Sequence, residues 1–314
     1  MIRIENLVKN YGDFQALCGI NFQINDGEIV GFLGANGAGK STTLKVMTGY
    51  LAPSAGNVYV NDLNIQDHSL EIREQIGYLP ENNPLYVEMK VYDYLEFTAG
   101  IRNLTNGKFA QALERVVDQC GLSDVMHRTI STCSKGYRQR IGLAAAIIHD
   151  PKILIMDEPV SGLDPNQIVE IRGLIRNLGR EKMVIMSSHI LQEIAATVDR
   201  IVIIDKGAIV ANGTSQELMS SFQGKTQLTL EVKHATSESL AGMATQIESM
   251  TVVDSEPVED RHVLSIEYSA ENDPREAIFQ FAKASDWAIL EMSPNRVQLE
   301  DVFRTLTAEG GGRG

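Results

Sequence analysis

Apolar residues in the first two thirds of the chain occur in short continuous runs that charged residues or glycines delimit. The four clearest runs are Ile29–Leu33, Ile153–Met156, Met183–Met186 and Ile201–Ile204. Continuous runs of this length are typical of strands buried on both faces. Stretches with helical spacing lie between them, as in Thr42–Gly49 and Gln167–Leu178. This alternation predicts an α/β domain with a largely parallel sheet over residues 1–219.

The pattern changes after residue 219, where strands with alternating polarity are predicted between two helices. The predicted strands and helices, in chain order, are Thr226–Lys233, Ser237–Gln246 (helix), Met250–Val253, His262–Tyr268, Pro274–Ser285 (helix) and Trp287–Met292. This βαββαβ order predicts a small ferredoxin-like α+β domain over residues 220–309. The glycine-rich end, residues 310–314, is predicted to be disordered.

Composition restricts the class of protein. The chain has 314 residues, 43% apolar and 22% charged, which suits about two globular domains. The net charge of −13 disfavours a protein that coats nucleic acid. Three scattered cysteines indicate neither a disulfide framework nor a zinc site and fit a reducing cytoplasm. The longest apolar run, Ile141–Ile148, is shorter than the ~18 residues that cross a bilayer, and no secretory signal is seen.

One segment has the pattern of a phosphate-binding loop. The motif G-x-x-x-x-G-K-[ST] is matched by Gly34, Ala35, Asn36, Gly37, Ala38, Gly39, Lys40 and Ser41, between a predicted strand and a predicted helix. Glycines let successive backbone N–H groups face phosphate oxygens, and the helix dipole adds to the attraction. We expect Lys40 to reach the β- and γ-phosphates and Ser41 to bind Mg²⁺. A glycine-rich turn with a chance lysine is the structural alternative.

Two carboxylates directly follow the predicted strand Ile153–Met156. A phosphate-binding loop works with an aspartate at a strand end that holds Mg²⁺, and Asp157 has that place. Glu158 follows it and is predicted to orient and deprotonate an attacking water. Solvated acids at a strand end are the alternative, which the nearby phosphate-binding loop disfavours.

Seven short motifs follow one another along about residues 2–219. In chain order they are Tyr11 within Lys9–Gly12, the phosphate-binding loop with Thr42 after it, Ile76–Glu81, Ser134–Arg140, Asp157–Pro159, Ser161–Asp164 and Ser188–His189. Together and in this order they resemble the ATPase subunit of ATP-binding-cassette (ABC) transporters. The resemblance implies a P-loop NTPase cassette, with a RecA-like core and a helical subdomain over about residues 88–150.

Within one subunit, the resemblance implies roles for several side chains. Tyr11 is expected to stack on adenine, although a half-buried turn aromatic is the alternative. His189 is expected to contact the γ-phosphate and help hold the water near Glu158, whereas a lone histidine is more often structural. Glu81 stands where many relatives have glutamine, and it is expected to contact Mg²⁺ or water.

Between subunits, the resemblance implies head-to-tail pairing around two ATP molecules. Ser134 and Gly136 of one subunit would contact the ATP held by the other, and Asp164 would connect the two sites. Ser134 is also predicted to cap the helix that carries Gln139–Ile148. Lys135 and Tyr137 depart from the usual Leu-Ser-Gly-Gly-Gln signature, in a form that resembles drug-, sodium- and gliding-type exporters.

The C-terminal segment Leu299–Phe303 resembles the Leu-Glu-Asp-Val-Phe ending of exporters with a six-helix permease. The predicted function is therefore an ATP-hydrolysing subunit, homodimeric or heterodimeric, that powers a separate six-helix membrane permease from the cytoplasmic face. ATP and Mg²⁺ are the implied cofactors, and no nucleic acid partner is expected. The alternative is a soluble cassette ATPase that acts on ribosomes or DNA. Another P-loop GTPase or kinase is disfavoured because a guanine-binding Asn-Lys-x-Asp string is absent.

Overall fold

The structure is a computed structural model that describes residues 1–105, 107–222, 226–247, 249–258, 260–269, 272–295 and 299–309. The chain forms two compact units. The first is Met1–Ser215 with residues 306–309 of the described C-terminus, and the second is Gln216–Thr305. The division after Ser215 lies a few residues before the predicted boundary at 219. The segment 310–314, predicted to be disordered, lies outside the described residues.

Ten strands belong to the first unit. They are β1 (Ile2–Tyr11), β2 (Phe14–Ile24), β3 (Ile29–Leu33), β4 (Ala55–Val60), β5 (Leu63–Asn64), β6 (Ile76–Leu79), β7 (Ile153–Met156), β8 (Met183–Ser188), β9 (Arg200–Asp205) and β10 (Ala208–Gly213). The first eight helices are α1 (Lys40–Met47), α2 (Ser69–Gln75), α3 (Val91–Ile101), α4 (Gly107–Cys120), α5 (Lys135–Ile147), α6 (Pro165–Gly179), α7 (Leu191–Ala195) and α8 (Ser215–Phe222).

Two sheets form the core of the first unit. A six-stranded sheet has the order β10-β9-β3-β8-β7-β6, in which all neighbours are parallel except the β10–β9 pair. A four-stranded antiparallel sheet has the order β2-β1-β4-β5. Buried apolar side chains of both sheets pack in one cluster, with the rings of Phe22 and Phe32 5.5 Å apart. The predicted parallel sheet is confirmed, whereas the antiparallel sheet was not predicted.

The four apolar runs form the central strands of the parallel sheet. Every residue of β3, β7 and β8 is buried, as expected for strands covered on both faces. The predicted end of β8 at Met186 was wrong, because the strand continues through Ser187 and Ser188. These two serines are fully buried in spite of their polarity, and their hydroxyls form hydrogen bonds.

Three helices, α3, α4 and α5, follow β6 and precede β7 in the chain, within the predicted helical subdomain. Packing of α5 against both α3 and α4 joins them. The chain then returns through β7, so the end of α5 and the start of β7 connect these helices to the parallel sheet. Within the described residues, no helix has the length and apolar character that crossing a membrane requires.

The second unit has the order β11 (Thr226–Lys233), α9 (Ser237–Gln246), β12 (Met250–Val258), β13 (Arg261–Tyr268), α10 (Arg275–Ala284) and β14 (Ala288–Asn295), and α11 (Leu299–Glu309) ends the described chain. Its antiparallel sheet has the order β12-β13-β11-β14. The predicted βαββαβ order is confirmed. Strand β12 runs five residues beyond its predicted end at Val253, through a bulge between Val252 and Asp254.

Candidate functional site

The turn between β3 and α1 depends on glycine. Gly37 and Gly39 have φ angles of 81° and 112°, which side-chain-bearing residues rarely adopt. A Cβ at Gly34 would lie 2.4 Å from the Ile204 carbonyl oxygen, so this position accepts only hydrogen. Gly39 occupies the N-cap of α1 and no side chain caps that helix. The loop therefore presents backbone rather than side chains at the positive end of the helix dipole.

Lys40 is the first residue of α1, and its side chain is buried under the loop. Its ammonium donates hydrogen bonds to the carbonyl oxygens of Gly34, at 2.8 Å, and Ala35, at 3.2 Å. It also lies 3.4 Å from Oε1 of Glu158. The Lys40 and Glu158 side chains are 5% and 6% exposed, so the charges compensate each other in a place with little solvent. The loop and the end of β7 thus meet at Lys40.

Asp157 lies at the carboxyl end of β7 and is held from two sides. Its backbone N–H donates to the Leu79 carbonyl oxygen at 2.8 Å, and its Oδ1 accepts a hydrogen bond from the Ser187 hydroxyl at 2.6 Å. The same hydroxyl accepts a hydrogen bond from the Glu158 N–H at 2.9 Å. Ser187 was not among the predicted site residues, although it stands two residues before His189 at the end of a buried strand. It orients both carboxylate residues.

Glu158 has a left-handed backbone conformation, with φ of 49°. This conformation costs energy in residues other than glycine and persists where surrounding contacts enforce it. One carboxylate oxygen faces the Lys40 ammonium, and the other, Oε2, lies 3.0 Å from Nδ1 of His189. The His189 side chain is 40% exposed. The structure therefore brings the predicted base, lysine and histidine into direct contact.

An open cleft of about 570 Å³ lies in front of these residues. Its described lining residues are Tyr11, Phe14, Ala16, Asn36, Gly37, Gly39, Lys40, Ser41, Thr42, Glu81, Glu158, Ser161 and His189. Ten of these were predicted from the sequence as site residues, while Phe14 and Ala16 were not. Ser161 begins the motif Ser161–Asp164 but was not predicted to line this cleft. Gly34, Ala35 and Ala38 belong to the same loop without lining the cleft, and Asp157 lies buried behind it.

The wall formed by the β1–β2 hairpin is aromatic. Tyr11 and Phe14 are register partners across its turn, and they are 47% and 63% exposed. The Lys9 ammonium lies 5.5 Å from the centre of the Tyr11 ring. Exposed rings at this end of a cleft that begins at a glycine loop suit the stacking of a planar base. Phe14 has a sequence signal, since it starts the second strand of a tight hairpin that Tyr11 ends.

Tyr78 lies on β6 shortly before Glu81, beside the site. Burial and then the negative charge of Asp157 raise the pKa of Tyr78 well above its usual value. Its hydroxyl is buried and has no hydrogen-bond partner among the described residues. Tyr78 therefore stays neutral across the physiological pH range, and it adds no charge to the site.

Three further predicted residues, Ser134, Gly136 and Asp164, also do not line the described cleft. Ser134 caps α5, and its hydroxyl accepts a hydrogen bond from the Tyr137 N–H at 3.3 Å, which confirms the predicted cap. Asp164 caps α6 and accepts a hydrogen bond from the Gln167 N–H at 3.0 Å. The two caps are neighbours, because a Cβ at Gly136 would lie 2.7 Å from the Gln167 side chain.

The acidic groups of the site fit a magnesium ion that a nucleotide shares. Within the described residues, no group of three or more His, Cys, Asp or Glu side chains could hold a metal alone. Mg²⁺ is usually held by one or two protein oxygens together with substrate phosphates and water. The Ser41 side chain on the cleft wall and the Asp157 carboxylate behind it would provide oxygens of that kind.

Two similarities to known proteins identify the family of this chain. The profile of the ABC transporter family matches residues 17–161. The linearmycin resistance ATP-binding protein LnrL of Bacillus subtilis (strain 168) is 33% identical over 310 residues, which are 98% of this chain and 98% of that protein. This chain is an ABC transporter ATP-binding subunit. As a member of that family it binds ATP with Mg²⁺ and couples ATP hydrolysis to transport.

Solved ABC cassettes have the same fold as this ABC subunit. The structure of cbiO1 from Clostridium perfringens, part of the transporter complex cbiONQ, is 28% identical with a TM-score of 0.64, over 70% of this chain and 91% of that one. The dimeric structure of the bacterial ABC transporter cassette MJ0796 is 25% identical with a TM-score of 0.63, over 68% of this chain and 98% of that one. The predicted cassette fold is thereby confirmed.

Proposed function

We propose that Glu158 is the general base of ATP hydrolysis in this ABC subunit. The observation that carries the proposal is its contact geometry. One carboxylate oxygen faces Lys40 and the other faces His189, at the wall of the cleft that the phosphate-binding loop lines. A base must lie within hydrogen-bond reach of the water that it deprotonates. His189, the more exposed partner, contacts the γ-phosphate and helps orient that water.

The remaining cleft residues bind the nucleotide. Lys40 donates to the β- and γ-phosphates, and the backbone N–H groups of the cleft-lining residues Gly37 and 39–42 face them. Bound Mg²⁺ neutralises the charge that develops on the phosphates. Ser41 and Asp157 would hold that ion, and Glu81 would contact it or one of its waters. Tyr11 stacks on the adenine ring.

The subunit acts as a head-to-tail dimer. Ser134 and Gly136 at the start of α5 contact the ATP held by the other subunit, and Asp164 connects the two sites. Two observations support this arrangement: a helix N-terminus suits a phosphate, and the MJ0796 cassette has a dimeric structure. The position of these residues away from their own subunit's cleft agrees with a role towards a partner.

The direction of transport is export, and the partner of the subunit is a six-helix membrane permease. The relative that matches along nearly the whole chain, LnrL, is named for resistance to linearmycin, and resistance by a transporter is most simply export. The subunit then lies at the cytoplasmic face of the membrane, bound to its permease. Coexpression with a neighbouring six-span membrane protein, followed by copurification, tests this pairing. If the coexpressed subunit purifies without the membrane protein, the proposed pairing is contradicted.

Light scattering of the purified Glu158→Gln variant tests the dimer and the site together. The substitution keeps the shape of the side chain and removes its basicity, so bound ATP persists. We expect a monomer without nucleotide and a dimer with Mg-ATP. Lys40→Ala in the same background serves as the control and should stay monomeric. A Glu158→Gln protein that binds ATP but remains a monomer would overturn the homodimer.

A further inference from the structure

The first turns of α5 touch the loop that follows β7. The side-chain amide of Gln139 donates a hydrogen bond to the Pro159 carbonyl oxygen at 2.8 Å. One turn earlier, Gly136 lies so close to Gln167 that a Cβ there would come within 2.7 Å of its side chain. The Gln139 bond thus holds the loop, and the Gly136 contact holds α6, the helix that follows the loop, so the loop has little freedom to move separately from α5.

The Gln139 contact is made directly beside the proposed base. Pro159 is covalently joined to Glu158, whose left-handed conformation needs external support. The Glu158 N–H is held by the Ser187 hydroxyl on one side of the residue, at 2.9 Å. On the other side, Pro159 is buried, and among the described residues only Gln139 donates to its carbonyl oxygen. Two side chains from distant segments thus hold the backbone on either side of Glu158.

We propose that Gln139 is a positioning residue for Glu158, and that it links the base to the turn that carries Ser134 and Gly136. The inference rests on the proposed role of Glu158. A displacement of the start of α5 pulls on Pro159 and changes where the Glu158 carboxylate lies relative to Lys40 and His189. Contact of that turn with a partner subunit is thereby transmitted to the base. Gln139 itself does not line the cleft.

Gln139→Met tests the link, because methionine keeps the length and helix propensity of glutamine but has no N–H donor. We expect kcat for ATP to fall about 10- to 100-fold, as for a catalytic group displaced by an ångström or less. The dissociation constant for ATP should stay at the wild-type value, and the melting temperature should fall by no more than a few degrees, the cost of one unpaired carbonyl oxygen. Gln139→Lys, which retains a donor of similar reach, should recover most of kcat. Gln111→Met, on the exposed surface of α4, is the matched control.

Single-turnover hydrolysis in the Glu158→Gln background shows whether Gln139 acts through the base. There the added Gln139→Met should change the residual rate by less than twofold, because the group that it positions has lost its function. A wild-type kcat in Gln139→Met, or an equal loss of rate with and without Glu158, overturns the link. Wild-type hydrolysis by Glu158→Gln would instead overturn the assignment of the base, so the two failures are distinguishable.

Discussion

Nδ1 of His189 lies 3.0 Å from Oε2 of Glu158, although the two residues are separated by 31 positions in the chain. Their strands, β7 and β8, are parallel neighbours, so both residues emerge at the same edge of the sheet. The Glu158 side chain is nearly buried, while that of His189 reaches the open cleft. A base supported from behind, with a histidine partner towards the substrate, suits proton abstraction from a water on the cleft side of the pair.

Glu158→Gln should lower the rate of ATP hydrolysis about 10²- to 10⁴-fold, because an amide cannot accept the proton of water. Nucleotide affinity should change little, since the amide can still accept a hydrogen bond from Lys40. Steady-state phosphate release and equilibrium nucleotide binding check the two halves of this prediction. His189→Ala, which leaves the base in place, should cost less than Glu158→Gln. A larger loss of rate in His189→Ala than in Glu158→Gln would contradict the assignment of Glu158 as the base.

Lys40→Ala should weaken ATP binding about 10- to 100-fold, as expected when charge-assisted hydrogen bonds to phosphate are lost. The loss should be smaller for adenosine, which has no phosphate and keeps only the Tyr11 contact. Titration calorimetry with both ligands measures this contrast. Lys45→Ala, on the same helix away from the cleft, is the matched control. Equal losses for ATP and adenosine would place Lys40 outside the phosphate site.

Ser187→Ala should raise the Mg²⁺ concentration required for half-maximal ATPase activity by about 10-fold or more, because Asp157 loses the hydroxyl that orients it. It should also destabilise the protein by about 1–3 kcal/mol, since the buried Glu158 N–H is left without its acceptor. Mg²⁺ titrations and denaturant unfolding measure the two effects. The exposed Ser131→Ala serves as control. An unchanged Mg²⁺ requirement would show that Asp157 needs no support from Ser187.

His149, after the end of α5, makes the stability of the fold depend on pH. Burial and then the charge of Arg102 lower the pKa of His149 from 6.5 to about 4. Its Nε2 lies 3.2 Å from the Ile76 carbonyl oxygen, while its buried Nδ1 has no partner among the described residues. Asp150 and Lys182, the other charged neighbours, act on the pKa in opposite directions and less strongly.

The direction in which pH changes the stability follows from proton uptake by His149 on unfolding. Between pH 6.5 and about 4 the unfolded chain binds a proton at His149 that the folded chain does not, so stability falls as the pH falls through this window. At pH 5.5 the cost is about 1 kcal/mol. His149→Gln keeps an N–H donor and cannot titrate, so its melting temperature should fall less than that of the wild type between pH 7.5 and pH 5.5. Equal falls in the melting temperatures of the two proteins would show that His149 does not contribute to the pH dependence of stability.

Much of the site follows from the sequence because its determinants are local. The phosphate-binding loop requires glycines at fixed spacing between a strand and a helix, and the structure has both elements there with Gly37 and Gly39 at positive φ. Continuous apolar runs predicted the central strands, since only a strand covered on both faces removes every side chain from water. The Ser134 cap was predictable for the same reason, because a cap and its helix are adjacent in the chain.

Predictions from spacing failed where polar side chains are buried. Ser187 extends β8 beyond its apolar run because its hydroxyl bonds Asp157 from the neighbouring strand, and no pattern within β8 reveals that acceptor. Phe14 is a different case, an exposed aromatic residue: the sequence gives its position at a tight turn, but only the folded hairpin sets it beside Tyr11 at the cleft.

By itself, the sequence determined which chemical groups the protein has and the local elements that carry them: the glycine loop with Lys40, the strand end with Asp157 and Glu158, and His189. Only the tertiary structure decided which groups touch, including the pairing of Glu158 with His189 and the Gln139 bond to Pro159. The reason is physical. Glycine freedom, periodicity and capping act within a few residues, whereas strand order and packing join segments that are distant in the chain.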